Sequence, residues 1–366
     1  MDSLYPFYDK LAERLYIPYI GKSAFIWKLA LSTLLGLCFF GLRYISVMHS
    51  GNVAQYLFGD WSWFLALLIT TVMLSLYYAT HVFRNMISEV LRRIPEDVAE
   101  EDIVAPILNV MTNRGFIIWG VIFGIVNCCL GLAFGLPGYK GVACGCGLPD
   151  NIWFADSALL FGFFLAGFVN GLAVFGILIV LKSMKNFSNK IESSIDFTFP
   201  DQCGGTAFLG TALTVFSSVT LIAGVMISVY ILNIPWKNQD KDWVIVMESL
   251  WIALPYVMAL VVLMIPALGI NKILRSYKIR SEGELQKKLV ILQNEIENPE
   301  IDSTTRKEKQ DIYNYYSERR KKLFNMRTWP FSASANAKFL SVISINICTT
   351  VAGSYKWVID NFHGIF

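Results

Sequence analysis

Six long apolar stretches constrain this chain more than any other feature. They run approximately over 24–42, 61–83, 116–136, 152–181, 206–234 and 243–270. A helix needs about 20 mostly apolar residues to cross a hydrocarbon core about 30 Å thick, at about 1.5 Å of rise per residue. All six stretches meet that test. Composition agrees, because 16% of the residues are charged where an ordinary soluble domain has about 25%. The missing charge argues against a water-soluble enzyme, a disordered chain or a nucleic-acid-binding module. The expected fold is therefore all-α, a polytopic integral membrane protein with six transmembrane helices. A seventh apolar stretch, 337–355, contains Lys338 and Asn346. It reads equally as a span or as a re-entrant or interfacial helix.

Basic residues set the expected orientation, since they concentrate on the cytoplasmic side. Lys10, Arg14 and Lys22 precede the first span, and Arg84, Arg92, Arg93 and Arg114 follow the second. Lys182, Lys185 and Lys190 follow the fourth, and fourteen Lys or Arg lie between the sixth and the seventh apolar stretch. The alternate connections carry only Arg43, then Lys140, then Lys237 with Lys241. This pattern predicts a plasma or inner membrane protein with its N-terminus in the cytoplasm. The first apolar run is long enough to anchor itself, so no cleavable signal peptide is expected.

Charge divides the chain into regions. Residues 1–23 read as an amphipathic interfacial segment, with Leu4, Phe7, Tyr8, Leu11 and Leu15 at helical spacing. Residues 24–271 form the transmembrane domain, with a short cytosolic helix expected at 94–112. Residues 272–327 carry 23 of the 59 charged residues and form a separate cytosolic element. There Leu285, Leu289, Leu292 and Ile296 recur at coiled-coil spacing, answered by Ile312, Tyr316 and Leu323. Asn298-Pro299 breaks the helix and Asp302 offers a new N-cap. An antiparallel helical hairpin follows, with its first arm continuing from the sixth span. Residues 328–366 hold the interfacial or seventh membrane segment and the tail.

No catalytic constellation emerges. His49, His81 and His363 form no H-x-x-x-H pair and have no partnered nucleophile. No enzymatic role, cofactor or metal site is expected. Cys144 and Cys146 flank one glycine in a predicted outer loop, where a disulfide and free thiols remain open alternatives.

Polar residues at depth attract functional attention because hydrocarbon penalises them. Asn127 and Asn170 fall near the middle of spans three and four, placed to bond each other or to line a polar path. Asp156 and Glu248 lie at the outer ends of spans four and six, as a pair of acids at a mouth or as helix N-terminal acids in water. Gly120 with Gly124 and Gly167 with Gly171 form small-x-x-x-small pairs, suited to close helix packing or to sliding during gating. Pro255 and Pro266 are expected to kink span six.

Two groups of residues suggest anion or lipid-headgroup binding. Asp201, Gly204 and Gly205 lie where span five begins, a helix N-terminus near Lys182, Lys185 and Lys190. Arg319, Arg320, Lys321 and Lys322 form a basic run before Trp329-Pro330-Phe331, and such clusters attract anionic lipids. Acids at 96–102 are expected to pair with this run. Nucleic-acid binding is disfavoured, because no reading motif is present. The D-x-x-G-G piece at Asp201 to Gly205 and the piece Thr328-Trp329-Pro330-Phe331 resemble segments of bacterial polytopic membrane proteins. That resemblance covers nine residues and transfers no function.

Three functional classes remain open at this stage. The first is a homo-oligomeric channel or pore gated from the cytoplasm through the hairpin. A membrane-anchored sensor or effector, such as an anti-phage defence effector recruiting a cytosolic partner, is the second. A small-solute transporter is the third, with neither an inverted repeat nor a midplane charge to favour it.

Overall fold

In a computed structural model, residues 24–48, 53–92, 113–133, 152–190, 195–233 and 242–331 are described, with single helical positions at 341 and 344. The expectations for 1–23, for 94–112 with its acids, and for Cys144 and Cys146 lie outside the described residues. So does the possible seventh span, except at those two positions. Among the described residues the chain forms helices α1 (Ala24–Val47), α2 (Ser62–Leu91), α3 (Asn113–Ala133) and α4 (Ile152–Lys190). After these come α5 (Ala207–Asn233), α6 (Asp242–Glu297) and α7 (Ser303–Phe324). A π-helical turn, Gln55–Gly59, leads into α2. No strand occurs among the described residues.

Helices α1 to α6 are each long and apolar enough to cross a membrane. The protein is an integral membrane protein. In hydrocarbon no water can satisfy backbone groups, so continuous helices are the structure these apolar runs must adopt. Three of the expected spans were too short. Helix α2 continues past Phe83 to Leu91. Helix α1 continues past Leu42 to Val47, which takes Arg43 out of a loop and into the helix. Helix α4 runs to Lys190, well past its apolar stretch.

Helices α2 and α4 form the middle of the bundle. Helix α2 packs on α1, α4 and α5, while α4 packs on α1, α2, α3 and α6. Helix α3 sits outside, presenting Ile117, Ile118, Val121, Ile122, Ile125 and Val126 on its exposed side. That outward apolar face is what lipid contact requires. Small residues mark the helix crossings. A Cβ added at Gly36 would collide with Ala66 and Thr70 of α2, and one at Gly162 with the Phe39 ring of α1.

Helix α6 is one unbroken helix of 56 residues, about 84 Å long. Its first half crosses the bundle and its second half is the first arm of the hairpin. Helix α7 returns antiparallel to it. Lys309 Nζ lies 3.0 Å from Glu295 Oε2, and the Lys288 ammonium sits 5.3 Å from the Tyr316 ring centroid. Asp302 caps α7, its carboxylate accepting from the Thr304 N–H at 3.3 Å. Leu285, Leu289 and Leu323 are buried in the expected seam, but Ile312 is exposed, so the seam is tight near its base and open toward its tip.

Candidate functional site

At the bundle end away from the hairpin, a buried ion pair organises three helices. Arg43 on α1 and Asp60 before α2 are 1% and 0% exposed, with Nη2 and Oδ2 2.6 Å apart. The other terminal guanidinium nitrogen, Nη1, donates to the Ala155 carbonyl of α4 at 2.6 Å. The second carboxylate oxygen accepts from the Ser62 N–H at 3.0 Å and from its hydroxyl at 2.6 Å. Asp60 thus holds Arg43 and caps the start of α2 together, while Trp61 adopts a left-handed φ of 63° to make the turn. Asp156 follows directly after Ala155 and is half-buried. Glu248 is 3% exposed. That corrects one reading of this pair of acids: Glu248 is not a helix N-terminal acid standing in water, because the bundle covers it.

Below this cluster two cavities open inside the bundle. The smaller, about 30 Å³, is lined by Asn127, Asn170, Phe163, Tyr230 and Trp251 among others. The larger, about 110 Å³, is lined by Ser75, Asn170, Thr220, Trp251, Pro255 and apolar residues of α2 to α6. Asn170 and Trp251 border both. Asn127 and Asn170 do not bond each other. Asn127 Nδ2 donates instead to the Phe163 carbonyl at 2.7 Å, which fixes α3 to α4. The Asn170 carboxamide takes no hydrogen-bond partner among the described residues. The buried Tyr230 hydroxyl, at the edge of the smaller cavity, is likewise without one. A cavity needs only about 10–15 Å³ and a few polar partners to accommodate a water. The smaller cavity satisfies both conditions.

The prolines of α6 shape the larger cavity. Pro255 has no N–H to offer the Trp251 carbonyl, and Pro266 has none for Val262. Trp251, Pro255 and Val262 are all in the lining. The helix continues through both prolines, and a Cβ at Gly224 of α5 would press on Pro255 at 2.8 Å.

The glycine pairs serve packing within the chain. A Cβ on Gly167 would meet the Phe123 carbonyl oxygen at 2.5 Å, and one on Gly171 would overlap Trp119 O and lie 2.9 Å from the Gly120 Cα. Gly120 and Gly124 lie under the rings of Phe168 and Phe164. Helices α3 and α4 therefore meet backbone to backbone, which leaves little room for sliding.

The expected anion site at the start of α5 requires correction. Asp201 itself occupies it. Its Oδ1 accepts from the N–H groups of Cys203 at 2.9 Å and Gly205 at 3.0 Å, and its Oδ2 accepts from Ala207 at 3.1 Å. Gly204 and Gly205, at φ of 63° and 84°, wrap the loop around this carboxylate. An external anion would find both the donors and the space taken. Lys182 and Lys185 are exposed on the last turns of α4, and the Lys190 side chain lies outside the described residues.

The basic run is also dispersed. The Arg319 guanidinium lies 4.9 Å from the Phe197 ring centroid, and Arg320 faces Glu282 at 3.9 Å. Arg320 is exposed, as are Lys321 and Lys322, which lie in the last turn of α7 where cations complement the helix dipole.

A collar ties the hairpin to the bundle. The Arg327 N–H donates to the Gln202 carbonyl at 2.7 Å, Asn271 Nδ2 to Thr328 O at 2.9 Å, and the Cys203 thiol to Trp329 O at 3.4 Å. Lys278 Nζ donates to Phe324 O at 2.7 Å and Met326 O at 2.9 Å. Pro330 rests on Gly210 of α5 so closely that no side chain fits between them.

Sequence reasoning missed Arg43 with Asp60, Tyr230, Thr220 and the collar. The signal for the first pair was present: one cation and one acid bracket a short connection between two apolar runs. Tyr230 and Thr220 carried none, since an apolar helix hides which face turns inward. No family model, curated protein or solved structure matches this chain.

Proposed function

We propose that this protein is a membrane channel whose path runs through the two stacked cavities and whose opening follows helix α6. The observation that carries the reading is the position of Asn170. It borders both cavities with an uncommitted carboxamide, midway along the apolar run Phe154–Phe187 of α4, and an idle polar group in such a span is costly unless solvent or solute meets it. Tyr230 and the Arg43–Asp60 pair continue the polar line toward the far end. Helix α6 supplies Trp251 and Pro255 to the cavity and then becomes the hairpin arm, so a displacement of the hairpin reaches the lining mechanically. The alternation of basic connections favours a cytoplasmic hairpin, which makes gating cytoplasmic, and a homo-oligomeric assembly remains part of the proposal.

Ion flux from liposomes containing the purified chain tests this. Wild type should release a trapped ion, and Asn170→Leu should release it markedly more slowly with the folded protein equally incorporated. Equal rates for the two would remove Asn170 from the path and the reading with it.

One observation favours the sensor or effector reading. Val290 and Ile291 on one arm of the hairpin and Ile312 on the other are exposed, apolar side chains that a cytosolic protein partner or a second copy could cover. Pull-down with the full chain against an Ile291→Lys variant, alongside the flux assay, separates partner recruitment from conduction.

A further inference from the structure

The open surface cleft between α6 and the returning segment 328–329 is lined by Asn271, Arg275, Lys278, Ile279, Glu282, Thr328 and Trp329 and has a volume of about 430 Å³. It begins one residue past the apolar run that ends at Ile270. Trp329 is stacked on Phe331 at 6.2 Å between centroids, and aromatic residues of this kind settle at the membrane–water interface. The cleft therefore sits at headgroup depth.

Its donors are unevenly committed. Asn271 is held by Thr328 O, and two of the three Lys278 donors are held by Phe324 O and Met326 O. Arg275 is exposed and has no hydrogen-bond or ion-pair partner among the described residues. The Thr328 hydroxyl is likewise uncommitted. The one acid in the lining, Glu282, faces Arg320. The side chains of Arg275, Lys278 and Thr328 line one cleft, and a planar guanidinium, an ammonium and a hydroxyl are groups that suit the oxygens of a phosphate.

We infer that this cleft binds the phosphate of an anionic phospholipid headgroup, with Arg275 as its principal contact. A lipid is favoured over a soluble phosphate because the cleft adjoins the apolar surface of α6, where Ile265 and Leu268 are exposed and available to the acyl chains. A headgroup seated there bridges α6 to the segment that closes the hairpin, so lipid composition bears on the hairpin's hold. The inference stands on the cleft alone and does not require the channel reading.

Native mass spectrometry of the full chain in detergent tests it, titrating phosphatidylglycerol, phosphatidylcholine and inorganic phosphate. Wild type should retain phosphatidylglycerol in preference to phosphatidylcholine, with inorganic phosphate unable to displace it. Arg275→Gln should weaken phosphatidylglycerol binding about fivefold, the loss expected for one interfacial cation. Arg275→Lys keeps the charge and should bind between the two, which separates lost charge from lost fold. Lys182→Gln, an exposed cation outside the cleft, should bind as wild type does. Wild-type binding by Arg275→Gln would overturn the assignment, as would an equal loss in Lys182→Gln. Displacement of the lipid by inorganic phosphate would also overturn it, showing a soluble-anion site.

Discussion

Arg43 and Asp60 illustrate how much a buried charge depends on its partner. Each has surrendered water, and each is compensated by the other and by Ala155 or Ser62. Removing one leaves the other stranded, at a cost of about 3–5 kcal/mol. Asp60→Ala should therefore lower the melting temperature sharply in detergent, while a double replacement of Arg43 and Asp60 by apolar residues should recover much of the loss. Asp201 acts on a smaller scale. Asp201→Ala frees three N–H groups at the start of α5 and should cost about 1–2 kcal/mol, read in the same melts. Cys203 adds a pH dependence. Burial pushes its thiol pKa up, Asp201 pushes it further, and Arg327 opposes them. The folded value thus exceeds the unfolded one of about 8.5, so the stability tied to the neutral thiol is complete below that pH. It declines as pH rises toward and through the higher folded value. Melting temperatures from about pH 7 to about pH 10 should fall for wild type relative to Cys203→Ala as the alkaline end is reached. The opposite trend would mean that the thiolate is the form the fold favours. At this scale little was legible beforehand. Asp201 drew attention for its glycines, but one sequence could not say that the aspartate fills the site those glycines build.

Among the elements, the α3–α4 pair and helix α6 make opposite demands on glycine. Gly171 meets the backbone of α3, so Gly171→Leu must separate the helices, at a cost of about 3 kcal/mol, the upper end of overpacking. Gly283, on the solvated arm of α6, has open space where a Cβ would go. Gly283→Ala should stabilise by about 1 kcal/mol, the ordinary helix propensity difference. Thermal melts of the two variants check the contrast, and a neutral Gly171→Leu would refute backbone contact. Helices themselves were readable because apolar length alone dictates a span. Their ends were not, since α1 and α4 run on past the apolar stretch. Hydropathy records where hydrocarbon stops, and helical hydrogen bonding does not stop there.

For the whole molecule, the division between an apolar bundle and a charged hairpin was visible in the placement of charge. The hairpin's attachment was not. The seam residues predicted two arms, but the collar pairs Gln202 with Arg327, Cys203 with Trp329 and Asn271 with Thr328 across distant parts of the chain, through backbone carbonyls that no side-chain pattern encodes. Interior cavities are equally unreadable, because they are set by what neighbouring helices fail to fill. Helix α6 runs without a break from cavity to collar. The channel proposal rests on solute entering that cavity, and Thr220 of α5 is in its lining.

Current across a planar bilayer, recorded from Thr220→Cys while a small cationic thiol reagent is added, addresses this most directly. The account predicts a current that falls as the new cysteine is modified, with the wild-type current unaffected by the same reagent. A Thr220→Cys current that persists through complete modification of that cysteine would contradict it.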